Sequence, residues 1–329
     1  MKQDRILRVG IVGAGRIAGI AAQTLAGMND CEAYAIGSRT KEKAEAFAQQ
    51  WNMPVAYGSY DELIADPDVD LLYIATPHSH HYDVTRRALL AGKPCLVEKT
   101  FMANYREAKD ILDLAHECKV FVAEAIWTRY QPAVGIVRQL IADGRIGTPR
   151  LITATLAYPM MQKERIFRPD LCGGALLDVG VYALNFVRMF TDSAVASIDG
   201  HCVKSDLGMD LTNTITMVLE DGTLASLQSS AMCVGDNTGV IAGSEANIVV
   251  DDINNPQTIT LMRRGREVID TIRVPQQITG YEYEFSACRQ ALIDGLLEPR
   301  EMPHKETLFI MQLMDDLRRQ WGVRYPMDK

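Results

Sequence analysis

Val9-Gly10-Ile11-Val12-Gly13-Ala14-Gly15-Arg16-Ile17-Ala18, near the start of the chain, is an apolar run that ends in a glycine turn and gives way to a helical pattern. It reads as a buried strand, a tight turn and the first turn of a helix. Gly13 permits the turn, Gly15 lets backbone N–H groups approach an anion, and Ala18 lets the helix sit close to the sheet. The helix N-terminus offers unpaired donors and the positive end of its dipole, the arrangement that holds a pyrophosphate. Gly13, Gly15, Arg16 and Ile17 are therefore candidate contacts for a dinucleotide.

Working outward, apolar runs at Arg8–Val12, Glu32–Gly37, Leu71–Ala75, Pro94–Lys99 and Val120–Ala125 alternate with helical periods at Arg16–Met28, Lys41–Trp51, His81–Ala91 and Tyr105–Lys119. That alternation predicts parallel βαβ units with helices on both faces, a Rossmann domain over residues 1–125. A further helical stretch spans about Pro132–Asp143. Then Asp143-Gly144 and Gly147-Thr148-Pro149 break the rhythm. A long helix, Gly174–Phe190, precedes strands at Ala196–Ser205, Thr212–Leu219, Thr223–Ser230, Val240–Ala242, Ala246–Val250, Thr258–Met262 and Val268–Val274, after a first one at Leu151–Tyr158. Few crossover helices join them, so residues 126–329 are expected to form an α+β domain with a largely antiparallel open sheet. The closing helices, about Glu282–Leu297 and Lys305–Trp321, complete an α/β chain; the first could pack on either domain.

With 329 residues, 47% of them hydrophobic and 23% charged, the chain is long enough for two cores, with a ligand cleft expected between them. The net charge of −8 comes with scattered basic residues, which excludes the positive face that nucleic acid or an anionic membrane would need and favours a small-molecule partner. No stretch is expected to cross a membrane, and the short apolar run after Lys2, Arg5 and Arg8 reads as a strand, not a signal peptide. Seven cysteines without a CxxC pair are neither a disulfide framework nor a zinc site, so no metal and a cytoplasmic location are expected.

After the second strand come Ser38 and Arg39, where an acidic residue would bind a ribose 2'-hydroxyl. A guanidinium there can pair with a 2'-phosphate, so NADP(H) is expected, with NAD as the alternative. Glu98 and Lys99 end an apolar strand at the C-terminal edge of the sheet, where α/β proteins bind ligands. In the nearly all-apolar Gly174–Phe190 helix, Asp178, Tyr182 and Asn185 share one face. A buried carboxylate needs a partner, so a lysine or histidine is expected beside Asp178.

The glycine turn, Thr76-Pro77-His78-Ser79-His80-His81, Glu98-Lys99 and Gly173-Gly174-Ala175-Leu176-Leu177-Asp178-Val179-Gly180-Val181-Tyr182 together resemble the glucose-fructose oxidoreductase and inositol dehydrogenase family, Gfo/Idh/MocA, over nearly the whole chain. Glu124-Ala-Ile-Trp127-Thr-Arg129-Tyr130 is most similar to its dihydrodiol and NADP-dependent D-xylose dehydrogenase branch. The resemblance implies Lys99, Asp178 and Tyr182 as the catalytic group. It implies Thr76, Pro77, His81, Glu98 and Lys99 at the cofactor, and His78, Trp127, Arg129 and Tyr182 at the substrate. Thr100 and His78 depart from the family's usual Pro and Asn.

Hydride transfer to a carbonyl carbon leaves an alkoxide that must be protonated. Tyr182 would move that proton, Lys99 would bring its high pKa of ~10 toward working pH, and Asp178 would hold Lys99 charged. The expected activity is that of a dehydrogenase on a sugar, polyol or vicinal diol. Two alternatives are a glycoside hydrolase with no net redox change and a non-catalytic nucleotide-binding protein. An open sheet with few covering helices predicts a homodimer, or a tetramer of dimers.

Overall fold

The computed structural model describes residues 5–328. The chain divides into two compact units, one comprising the chain through Tyr130 with Gln277–Met311, the other Gln131–Gln276 with the chain from Gln312 on.

The first unit runs β1 (Leu7–Val12), α1 (Arg16–Ala26), β2 (Cys31–Gly37), α2 (Lys41–Trp51), β3 (Val55–Tyr57), α3 (Tyr60–Ala65), β4 (Leu71–Ile74), α4 (His81–Leu90), β5 (Cys95–Glu98), α5 (Tyr105–Cys118) and β6 (Val122–Ala125). Its strands pair in parallel in the order β3-β2-β1-β4-β5-β6, the doubly wound arrangement. All four residues of β4, β5 and β6 are buried, as helices on both faces require. Side-chain caps start three of the helices: Thr40 accepts from Lys43 N–H, Ser59 from Glu62 N–H and Asn104 from Glu107 N–H. β3 and α3 are additions to the sequence reading. Three half-buried residues carry no readable period, so β3 gives no strand signal.

The second unit begins with α6 (Pro132–Ala142) and β7 (Pro149–Ala157). It continues through α7 (Val181–Phe190), β8 (Val195–Lys204), β9 (Asp210–Leu219), β10 (Leu224–Ser230), β11 (Gly239–Gly243), β12 (Asn247–Val250), β13 (Thr258–Met262) and β14 (Val268–Arg273). The strands form one sheet in the order β14-β13-β12-β11-β7-β10-β9-β8, antiparallel except where β10 lies parallel to β7. Alternation sorts its two faces: Ile215, Met217 and Leu219 of β9 are buried, whereas Thr214, Thr216 and Val218 face outward. Of the closing helices, α8 (Glu282–Ile293) belongs to the first unit, where Phe285 lies 5.4 Å from the Tyr73 ring, and α9 (His304–Trp321) has residues in both units.

Two expectations need correction. The single helix over 174–190 is instead a π-helical turn at Leu176–Gly180 followed by α7, and Gly174 before it has a φ of +114°, outside the helical region. Pro169–Phe190 is also long and apolar enough, by length and composition, to cross a membrane, which the sequence reading did not expect; 89% of its most apolar window is buried inside the protein, as in a core helix.

Candidate functional site

The first unit carries the nucleotide-binding features. Gly13 has a φ of +98°, its N–H donates to Gly37 O at 2.9 Å, and a Cβ there would meet Ala75 O at 3.1 Å. Only glycine takes this turn without strain. Gly15 caps α1 with extended backbone, and a Cβ built on it would meet nothing within 4 Å. The helix has no side-chain cap and no acidic residue in its first turn, so its donors and dipole face open space at Arg16 and Ile17. Thr76 Oγ1, past the end of β4, is buried without a hydrogen-bond partner. An uncapped helix start, open space at Gly15 and an orphaned hydroxyl are what a bound dinucleotide would satisfy, so these residues fit one. Ser38 is buried and its N–H donates to Tyr57 O at 3.1 Å, while Arg39 is exposed, so Arg39 is the accessible member of that pair.

His81, expected at the cofactor, lies inside the first unit. Its ring is fully buried, with Nδ1 3.0 Å from Thr100 O and 3.1 Å from Phe101 O, and Nε2 2.9 Å from Thr76 O. It joins the loops that follow β4 and β5, and burial lowers its pKa against the pull of those carbonyls. Pro77 is exposed and His78 buried, its ring centroid 5.7 Å from that of His81.

Glu98 is directed inward as well. It accepts from Tyr73 OH, and its Oε2 accepts from Lys99 N–H at 3.2 Å. Glu284 on α8 is fully buried with neither carboxylate oxygen partnered; burial, then the charge of Glu98, raises its pKa well above the usual range. Lys99 is half-buried, and the Lys99–Thr100 peptide is cis. A residue that the sequence offered only as part of a resemblance, Glu124 on β6, is buried and accepts from Phe101 N–H at 3.2 Å. Burial pushes its pKa up to about 7, opposed by hydrogen bonds from Thr307 and Phe101 and by the charges of Arg129 and Lys99.

The two aromatic and cationic residues expected at the substrate sit in the core of the first unit. Trp127 stacks on Tyr281, centroids 4.1 Å apart and planes 4° from parallel. Arg129 is buried, with Nη1 3.5 Å from Glu306 Oε2 and Nε donating to Glu301 O at 3.3 Å. Both therefore have structural partners in place.

In the second unit Asp178 lies on the π-helical turn, a distortion that recurs at functional sites. Both its oxygens accept from Arg165 Nη2 at 2.9 Å; the side chains are 7% and 37% exposed. The sequence pointed to a lysine or histidine beside Asp178; this guanidinium, 13 residues upstream, was not foreseen, and no short-range pattern could have paired the two. Tyr182 is buried in the first turn of α7. Asn185 donates to Val181 O of its own helix at 2.8 Å. Among the described residues, no group of three or more His, Cys, Asp or Glu is placed to hold a metal.

A parallel sheet in Rossmann order, with a glycine turn and an uncapped helix at its first βα junction, defines a NAD(P)-binding oxidoreductase of the Rossmann class. Residues 7–125 match the oxidoreductase family with a NAD-binding Rossmann fold, and residues 135–249 match the GFO/IDH/MocA C-terminal domain. The chain belongs to the GFO/IDH/MocA family. It is 32% identical to the trans-1,2-dihydrobenzene-1,2-diol dehydrogenase of Xenopus tropicalis, over 96% of this chain and 98% of that one. It is 33% identical to the NADP(+) D-xylose 1-dehydrogenase of Hypocrea jecorina, over 88% and 83%. The aldose-aldose oxidoreductase of Caulobacter crescentus shares the fold, with a TM-score of 0.86 at 21% identity over 97% of this chain and 98% of that one.

Proposed function

We propose that this oxidoreductase is an NADP(H)-preferring dehydrogenase of a sugar, polyol or vicinal diol, with Lys99, Asp178 and Tyr182 as its acid–base group. The observation that carries this reading is the full-length likeness to dihydrodiol and D-xylose dehydrogenases. The nicotinamide, when bound, accepts or supplies the hydride. Tyr182 passes the proton to or from the substrate oxygen. Lys99 favours the tyrosinate form and polarises that oxygen, while Asp178, held by Arg165, keeps the local charge balanced. Gly13, Gly15 and the first turn of α1 hold the pyrophosphate, and the exposed Arg39 pairs with the 2'-phosphate.

The reading extends to assembly. The outward face of the second sheet, with Thr214, Thr216, Val218 and Leu224, is the surface that a homodimer, or a tetramer of dimers, would cover. The cell compartment proposed is the cytoplasm. A screen of aldoses, cyclic polyols and vicinal diols with NADP and with NAD, followed by absorbance of the reduced cofactor, tests the activity. Reduction of NADP by at least one diol or sugar class is expected. Turnover of glycosides without net cofactor reduction would overturn it.

A further inference from the structure

A second polar cluster, separate from Arg165 and Asp178, lies where the segment bearing Asp178 and Tyr182 begins. Asp210 opens β9 fully buried. Its Oδ2 accepts from the Leu176 backbone N–H at 2.7 Å and from Asn213 Nδ2 at 2.9 Å, and Asn213 Oδ1 accepts from Ser229 Oγ at 2.7 Å. Its Oδ1 has no hydrogen-bond partner and is turned toward Gly174, where a Cβ would fall 2.3 Å away. On the preceding residue, Tyr325 OH donates to Gly173 O at 2.7 Å. The Tyr325 ring packs under the Arg318 guanidinium at 4.4 Å, and Arg318 is tied to Asp315 and Asp328 at 2.6 and 2.7 Å. The glycine turn that starts the segment is thus gripped by two side chains that the chemistry itself does not use.

A buried carboxylate with one unsatisfied oxygen is a costly way to hold two N–H donors on the other, because an asparagine carbonyl could accept the same bonds. Burial pushes the Asp210 carboxyl up to about 6, against the hydrogen bonds of Leu176 and Asn213 and the charge of Arg318. The other ionisable groups that feel its charge are Tyr325 and, on β8, Cys202. A group with a raised acid pKa stabilises the fold below its unfolded value and loses that contribution as pH rises through the folded one. At neutral pH the charge on Asp210 therefore opposes stability.

We propose that Asp210, together with the Tyr325 hydroxyl on Gly173, is a positioning residue that fixes the start of the 176–190 segment and so holds Asp178 and Tyr182 in working register. This rests on the assignment of the chemistry to those two residues. A charged acceptor grips the Leu176 N–H more tightly than a neutral one. The working form is the carboxylate, and turnover falls as pH drops through about 6.

The test compares Asp210→Asn, Tyr325→Phe and Tyr182→Phe with the wild type in kcat, KM, NADP(H) affinity, Tm and pH profile. Asp210→Asn should lower kcat by ~10-fold or more at about pH 8, with KM and cofactor affinity within about twofold, Tm held or raised, and the acid limb near pH 6 lost. Tyr325→Phe should lower kcat in the same way but less, and it decides the matter if Asp210→Asn fails to fold. Unchanged kcat, or a kcat that falls only in step with Tm, would overturn the proposal. A crippled Tyr182→Phe beside an unaffected Asp210→Asn overturns the positioning role alone. A fully active Tyr182→Phe overturns the assignment of the chemistry and the positioning role with it.

Discussion

The glycine turn makes two separable demands, and replacing each glycine by alanine tests them. At Gly13 the φ of +98° costs an L-residue ~1–2 kcal/mol, and the new methyl would lie 3.1 Å from Ala75 O and 3.4 Å from Thr76 Cγ2. Ala75 O cannot move freely, because the Ala75 N–H donates to Val12 O at 2.9 Å at the end of β4. Strain and crowding together should cost Gly13→Ala ~2–3 kcal/mol of stability, and the displaced turn should also weaken the dinucleotide. At Gly15 the backbone is extended and the space around a Cβ is open, so Gly15→Ala should lose under ~1 kcal/mol, the difference between glycine and alanine as an N-cap. Its methyl would nevertheless stand where the pyrophosphate must approach, so NADP(H) affinity should fall ~10-fold or more, about 1.4 kcal/mol. Urea melts without cofactor and fluorescence titration with NADPH measure the two quantities. Wild-type affinity in Gly15→Ala would refute the placement of the pyrophosphate, and a Gly13→Ala as stable as Gly15→Ala would refute the strain argument.

Other outcomes follow from the same geometry. Arg39→Asp should reverse a preference for NADP(H) over NAD(H) of at least ~10-fold; equal affinities in the wild type would refute the role of Arg39. Light scattering at micromolar concentration should give the mass of a dimer or tetramer, and Val218→Asp with Leu224→Asp should reduce it; a monomeric wild type would contradict the covered face. Glu284, whose pKa is raised well above 4.5 by burial and then by Glu98, contributes stability at low pH that is lost as pH rises through its folded value. Glu284→Gln should therefore gain in Tm over the wild type as pH rises, and parallel Tm curves would show that the carboxyl is not held neutral.

What could be read in the sequence is what local physics dictates. The glycine turn is legible because the roles of Gly13, Gly15 and Ala18 are set within one βα junction. The strands of the second sheet are legible because period-2 alternation, as in Ile215, Met217 and Leu219, survives wherever one face is buried. The π-helical turn was hidden because the 174–190 stretch is apolar all round and its period is indifferent to one extra residue. The partners of the site residues were hidden by distance along the chain. Arg165 and Asp178, Asp210 and Leu176, and His81 with the carbonyls of Thr76, Thr100 and Phe101 are brought together by loops and sheet register, not by a short repeat. Arg129 and Glu306, an ion pair far apart along the chain, were hidden for the same reason.

The most direct test of the account is the turnover of Tyr182→Phe and Lys99→Met on the best substrate of the screen, alongside their NADP(H) affinity. Each should lower kcat by ~100-fold or more with cofactor affinity nearly unchanged, because neither is asked to hold the pyrophosphate. Full activity in Tyr182→Phe would contradict the account by sending the proton along another route, and full activity in Lys99→Met would remove the lysine from the chemistry.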